Sequence, residues 1–298
     1  MNKITLFIIL FICSCGNHEI LPSSTGSNNE IIIVSSLDIW NSGKSNVIRQ
    51  KFSADIIGIN QSEPMFNLIP IQPKNFKSIF KTHKHIILLS NEGDCLVQKN
   101  KWAKEQLVCQ INIQLEKDKL EGEVSKIVSL FINNELKNIQ KKISKSPNKE
   151  IAEVIKKQFN IDLLIPSEYT IVKDSSNFIW ISYNPSQKEE IKHMFFYTLN
   201  HLDSNYSAQA LAETSRLFAR YLKGPSNSFV VIEKDFPTYC KDSYCRGLWR
   251  LSEGFMGGPF LQKVTKQENG IIFVKVGLVF APQDSKRQYI KQLEASFQ

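Results

Sequence analysis

The stretch EKDKLEGEVSKIVSLFINNELKNIQKKISK, Glu116 to Lys145, decides the architecture. Within it Leu120, Val124, Ile127, Phe131, Ile132, Leu136, Ile139 and Ile143 recur at three- and four-residue steps, which puts them on one face of an α-helix. At 1.5 Å per residue the helix is about 45 Å long, the longest amphipathic element in the chain. Ser146-Pro147 then reads as an N-cap with proline in the first turn. It opens a second helix carrying Ile151, Val154, Ile155 and Phe159. The helix pair divides the chain into an N-terminal half, 30–145, and a C-terminal half, 146–298.

Upstream of the long helix the hydrophobic period shortens. Glu30 to Val34, Phe66 to Ile71 between Pro64 and Pro73, and His85 to Leu89 read as strands, with a helical segment at Ser45 to Phe52. Asp94 to Gln98 and Gln106 to Gln110 form the arms of a hairpin folded about Trp102. Downstream, strands are expected at Tyr169–Val172, Phe178–Tyr183 and His193–Leu199. A helix from Ala208 to Leu222 follows, stopped by Gly224-Pro225. Four more strands, Phe229–Glu233, Cys245–Leu251, Phe260–Thr265 and Ile271–Phe280, precede a closing helix from Asp284 to Phe297. Glu268-Asn269-Gly270 supplies the last hairpin turn. The fold class is therefore α+β: two mixed α/β halves with largely antiparallel sheets, joined by a long helix. The recurring succession of strands and helices suggests a degenerate duplication, although no residues align to support one.

The N-terminus reads as an address. Lys3 precedes an apolar run from Ile4 to Cys13, and Ile12-Cys13-Ser14-Cys15-Gly16 has the form of a bacterial lipoprotein processing site. An apolar run of about ten residues spans about 15 Å, half of a hydrocarbon core, so it is not a membrane span. Residues 1–14 are expected to be removed as a signal peptide and Cys15 to carry diacylglycerol and fatty acid such as palmitate. Residues 15–29, rich in Ser, Asn and Gly, form a flexible tether. Gly16 is not the aspartate that often retains such proteins in the inner membrane. The expected location is the outer membrane, facing the periplasm.

The net charge of +8, or +7 after loss of residues 1–14, is carried by lysines dispersed along helices without interleaved aromatics, so a nucleic-acid partner is not expected. About 280 mature residues at 42% apolar content suffice for a sizeable core. Export would place Cys95, Cys109, Cys240 and Cys245 where disulfides form. Spacing favours Cys95 with Cys109 across the hairpin and Cys240 with Cys245 around a polar turn. The alternative for each pair is two small buried hydrophobes.

The most distinctive internal string is Arg246-Gly247-Leu248-Trp249 followed by Phe255-Met256-Gly257-Gly258-Pro259-Phe260. Together with Leu37–Trp40, Glu63–Leu68, Phe80–His83, Lys101–Lys104 and Phe280–Pro282, it resembles the uncharacterised envelope-lipoprotein family catalogued as domain of unknown function 4837. The resemblance extends over nearly all of the mature chain and implies an envelope location. It implies no catalytic residue. In strand geometry Gly247, Trp249 and Leu251 share one face and Arg246 and Arg250 the other. The arginines form an anion clamp or, more ordinarily, a solvated face paired with carboxylates. Gly257-Gly258 reads as a turn, with Pro259 starting the next strand. Phe255, Met256 and Phe260 read as core, or as a binding patch if exposed. Arg246, Trp249, Arg250, Met256, Gly257, Gly258 and Phe260 are thus the candidate binding surface.

Catalytic signatures are weak. Asn41-Ser42-Gly43-Lys44-Ser45 lacks the first glycine of a phosphate loop, since Asp38 stands there. His83 and His85 share a strand face but have no second ligand pair, and no cofactor or metal is expected. The leading reading is a lipid-anchored, non-catalytic binding or assembly factor held to the membrane through Cys15, with an envelope protein or glycan as partner. The alternatives are an envelope hydrolase acting on peptidoglycan or another glycan through a carboxylate pair, and a carrier of a small acidic ligand gripped by Arg246 and Arg250.

Overall fold

The computed structural model describes residues 20–200, 206–268 and 270–298. Cys15, the leader before it and Asn269 lie outside the described residues. The first half runs β1 (Glu30–Val34), α1 (Leu37–Asn41), α2 (Asn46–Phe52), β2 (Asn67–Ile71), α3 (Ser78–Lys81), β3 (His85–Ser90), β4 (Leu96–Lys99), β5 (Leu107–Asn112) and α4 (Lys117–Ile143). The second continues with α5 (Lys149–Phe159), β6 (Thr170–Ser175), β7 (Phe178–Tyr183), β8 (Ile191–Leu199), α6 (Tyr206–Tyr221), β9 (Val230–Ile232), β10 (Tyr239–Lys241), β11 (Tyr244–Leu251), β12 (Gly257–Lys266), β13 (Ile272–Phe280) and α7 (Arg287–Ser296).

The class is α+β, and antiparallel pairing predominates over the two sheets taken together. Parallel pairing is confined to the first sheet, ordered β2-β1-β3-β5-β4, where β1 runs parallel to β2 and β3, and β3 parallel to β5. Parallel neighbours need crossover connections, and α1, α2 and α3 provide them between β1, β2 and β3. The second sheet is antiparallel throughout, ordered β10-β11-β12-β13-β8-β7-β6 with β9 also on β11. The halves thus differ in strand order and direction, so the repeated succession of elements does not reflect a repeated topology.

The long helix forms for the reason its sequence gives: Leu120, Val124, Ile127, Phe131 and Leu136 are buried. Phe131 meets Phe52 and Phe66 edge-on in the first core. The second helix is capped two residues later than its sequence suggested. Asn148, not Ser146, accepts the Ile151 N–H at 3.1 Å, while its amide donates to the Tyr169 carbonyl and ties the cap to the start of β6. Asn160, at φ 55°, closes the helix in the left-handed conformation.

The second sheet is buried on both faces. Met194 and Phe196 of β8 lie in one core with Ile151, Ile155, Ile290 and Leu293 from α5 and α7. Their neighbours Phe195 and Tyr197 lie in the other, with Phe218 of α6. The first half enters the second half's core directly, because Ile56 and Ile59 pack with α5 and α7. Gly58 between them, at φ 89°, has room only for a hydrogen: a Cβ there would meet Cβ of Arg246 at 2.7 Å.

An ion pair locks the halves together. Arg287, at the start of α7, makes a bidentate contact with Glu135 of α4 (2.6 and 2.8 Å), with side chains 8% and 1% exposed. Its Nε also donates to the Met65 carbonyl at 2.8 Å. Glu63 accepts the backbone N–H groups of Lys286 and Arg287, both at 2.8 Å, so a first-half carboxylate caps a second-half helix. Burial pushes the Glu63 carboxyl upward, but these bonds, the Ser285 hydroxyl and the Lys286 charge outweigh it and hold its pKa below the ordinary value.

Removing one member of the buried pair leaves the other uncompensated, so Glu135→Leu is expected to cost about 3–5 kcal/mol in urea unfolding. The double replacement Glu135→Leu/Arg287→Met should recover most of that loss. His85, fully buried between Phe66 and Phe131, has its pKa lowered to about 3 by burial, with the nearby Lys84 charge adding to the shift. Between that value and 6.5 the unfolded chain binds a proton that the native protein does not, so stability falls as pH is lowered through this window. His85→Gln should show a shallower decline in urea titrations between pH 7 and pH 4.

Candidate ligand-binding cleft

The distinctive string builds the hairpin of β11 and β12. Its turn is made by Gly254, at φ 121°, and not by Gly257-Gly258, which lie inside β12 opposite Arg250 and Trp249. Close approach, not turning, requires these two glycines. A Cβ on Gly258 would stand 2.1 Å from the Val279 carbonyl oxygen and 3.3 Å from the Trp249 indole nitrogen; one on Gly257 would stand 2.9 Å from the Trp249 carbonyl oxygen. The missing side chain of Gly258 lets the indole of Trp249 lie across β12 and donate to the Val279 carbonyl of β13 at 3.1 Å. The β12–β13 ladder stops at the Phe260–Leu278 pair, which leaves that carbonyl for the indole.

The other members of the string divide. Phe260 is fully buried against Phe218. Met256 is half-buried, and Phe255, read as core, is instead wholly exposed at the loop tip. The arginines do not converge. Arg246 pairs with Glu294 of α7 at 2.7 Å, and Arg250 with Glu233 at 2.9 Å. Each arginine is engaged by a carboxylate on a different element, Glu294 also holding Lys291 at 2.8 Å, so the two do not form an anion clamp. Cys240 and Cys245, directly opposite across β10 and β11, are joined by a disulfide. Cys95 and Cys109 are both free thiols. Val97, not Cys95, stands opposite Cys109, which puts Cys95 at a diagonal position, where strand geometry gives about 7–8 Å, beyond disulfide reach. His83 lies 3.6 Å from Glu30 and His85 hydrogen-bonds Asn134, so they do not converge on a metal. The Asn41–Ser45 segment is no phosphate cradle: Ser45 donates to backbone carbonyls of Trp40 and Ser42, and Lys44 to Gln114.

Trp249 and Met256 do meet in a cleft. Helix α6 covers the centre of one sheet face, but it ends at Tyr221 and the chain turns away through Pro225–Asn227. What remains uncovered is a trough of about 480 Å3 running across the strands from β6 to β11. Tyr221, Leu222 and Lys223 border it from the helix, and Met256 from the β11–β12 loop. At the β13–β11 end the lining is apolar, made by Trp249, Leu251, Leu278 and Phe280. At the β6–β8 end Val172, Trp180 and Ile191 share the wall with a polar row in which Thr170 stands opposite Ser182 and Ser182 opposite His193. No carboxylate lines the trough among the described residues.

His193 has a defined protonation state. The indole N–H of Trp180 donates to Nδ1 of His193 at 3.2 Å, and burial lowers the imidazole pKa to about 4. An indole nitrogen only donates, so Nδ1 accepts and the single proton of the neutral ring sits on Nε2. Sequence reading placed Phe178–Tyr183 and His193–Leu199 as strands but did not single out Trp180, Ser182 or His193. Alternation would have put Trp180 and Ser182 on one face. That this face is open, however, depends on where α6 stops.

Fold and cleft together define an α+β protein with an apolar trough of ligand size beside a small polar row. Residues 148–298, half of the chain, match the family described as Domain of unknown function (DUF4837), and the chain belongs to that family. Residues 24–144 match a second, Domain of unknown function (DUF8532). Of the stretches that carry the resemblance, Arg246–Trp249, Phe255–Phe260 and Phe280–Pro282 fall within the first match, and the four earlier ones within the second. No curated protein sequence matches the chain. Among solved structures, LpqN, involved in cell envelope biogenesis of Mycobacterium tuberculosis, is similar at 16% identity over 45% of this chain and 78% of its own, with a TM-score of 0.25. The human StarD13 lipid transfer and protein localization domain matches at 8% identity, covering 44% and 89%, with a TM-score of 0.23. A STAR-related lipid transfer protein fragment from Xanthomonas axonopodis matches at 10%, covering 44% and 94%, with a TM-score of 0.20. These TM-scores are too low to define the fold or its activity.

The Trp249 arrangement generates a stability prediction. Gly258→Ala forces a methyl group against the Val279 carbonyl and the indole, and overpacking of this kind costs about 1–3 kcal/mol. Thermal denaturation should show a lower Tm for Gly258→Ala than for Gly122→Ala, where a Cβ meets nothing within 4 Å.

Proposed function

We propose that the protein is a lipid-anchored envelope protein whose C-terminal half is a binding module, with the trough as its site and an apolar envelope component as its ligand. The observation that carries this reading is the lining of the trough: Trp180, Trp249, Met256 and Phe280 facing a ligand-sized volume with no carboxylate. That composition supports binding by burial of apolar surface. It gives no support to a hydrolase working through a carboxylate pair, or to an acidic ligand held by Arg246 and Arg250, whose charges are already paired outside the trough. The lipid on Cys15 would hold the module at the membrane through a tether shorter than the expected 15–29, because from Pro22 onward the backbone is hydrogen-bonded to Thr82, Lys84 and Lys104 of the first half. The outer membrane facing the periplasm is the location this reading adopts. Among the described residues no helix is long and apolar enough to cross a membrane.

Two measurements test the reading. The full chain carrying Cys15→Ala, which offers no thiol for acylation, should bind N-phenyl-1-naphthylamine saturably with enhanced probe fluorescence. Met256→Arg, at a half-buried position on the border, should weaken that binding about tenfold or more; a wild-type trough that leaves the probe dark would overturn the reading. In cells, an alkyne-tagged fatty acid should label the wild type in the membrane fraction and leave Cys15→Ala unlabelled.

A further inference from the structure

The trough is long, with its hydrogen-bonding side chains gathered at one end and the Lys223 ammonium at the other. Adjacent strands lie about 4.8 Å apart, so the five steps from β6 to β11 give a length of about 24 Å. A trough of that length accommodates an extended acyl chain laid across the strands. Along this axis the β13–β11 end is lined by apolar side chains apart from Lys223, and the β6–β8 end carries Thr170, Ser182 and His193 side by side.

Within that row two polar atoms are left without partners. Among the described residues, neither Nε2 of His193 nor Oγ of Ser182 has a hydrogen-bond partner, whereas Nδ1 of His193 is taken by Trp180 and Oγ1 of Thr170 donates to the Ser182 carbonyl at 3.3 Å. The imidazole is neutral and protonated on Nε2, so it offers one N–H to an acceptor in the trough. No cation stands among the trough residues at this end. Lys223, the cation lining the trough, stands at the opposite end, its ammonium 5.3 Å from the Phe229 ring centroid beside β9. A carboxylate head beside His193 would be desolvated without a counter-charge, which is unfavourable. A neutral carbonyl needs only the donor.

We infer that the ligand is an uncharged long-chain acyl ester, its chain laid along the β13–β11 end and its carbonyl oxygen accepting the Nε2–H of His193. This assignment rests on the trough being the binding site. His193 is the residue that selects the head, and Ser182 offers a hydroxyl beside it.

The test compares ligands that differ only at the carbonyl. Displacement of N-phenyl-1-naphthylamine from the full-length Cys15→Ala protein is titrated with 1-monopalmitoylglycerol, its ether analogue 1-O-hexadecylglycerol, and palmitate at pH 8. The ester should displace the probe about tenfold more effectively than the ether, the ratio expected of one net hydrogen bond. Palmitate should be weaker than the ester. In His193→Phe the ester-to-ether ratio, read against that variant's own probe affinity, should fall to about one. Should that variant fail to bind the probe, the wild-type ratio decides alone. Equal displacement by ester and ether in the wild type, or tighter binding of palmitate, would overturn the assignment while leaving the trough a binding site. Failure of the wild type to bind the probe at all would instead remove the reading on which it rests.

Discussion

The buried contact of Arg287 with Glu135 is the constraint on which the arrangement of the molecule depends. Arg287 opens α7, and α7 covers one face of the second sheet. Fixing the first turn of that helix to α4, and capping it with Glu63, commits this face to the contact between the halves. A buried ion pair is a poor source of net stability, but it has strict geometry. A small slip between the halves would strand both charges. The pair therefore specifies how the halves dock, and the hydrophobic contacts of Ile56 and Ile59 supply the apolar burial.

With one face committed to that contact, the other is left partly open. Helix α6 covers the centre of that face through Ala210, Leu217 and Phe218 and stops before reaching the outer rows of side chains. The trough is thus a consequence of a helix shorter than the sheet it covers, and not of a cavity inside a core. Its floor is assembled from strands far apart in sequence, and Trp249, spread over Gly258, closes the gap between β11 and β13.

Periodicity made most of the elements legible. The long helix, α5, the buried strands β1, β3, β7 and β8 and the closing helix follow from apolar residues at steps of two or of three and four. Short or polar elements escaped: α1 and α3 are too brief to show a period, and β10 is exposed at all three positions. Strand direction in the first sheet was not readable, because a buried apolar run looks the same in parallel and antiparallel neighbours. The site was half legible. Trp249 and Met256 lie in a string conspicuous for its glycines, but the string was read as a turn because glycine's two uses, positive φ and close approach, leave the same letters. His193 and Ser182 carry no local mark, and their meaning comes from the register that sets them side by side.

The disulfide between Cys240 and Cys245 bears on how the large sheet ends. An open sheet has two edges, and each offers unpaired backbone groups to other chains. At the β11 side the border consists of two three-residue strands, β9 and β10, and the disulfide staples the second to its neighbour. At the opposite border β6 is exposed nearly throughout, yet it is interrupted by a register shift between Ile171 and Lys173, and the lysine sits within the strand. One edge is thus shortened and cross-linked, the other kinked and charged. Both devices oppose edge-to-edge polymerisation, a hazard that grows with the local concentration of any open-sheet protein.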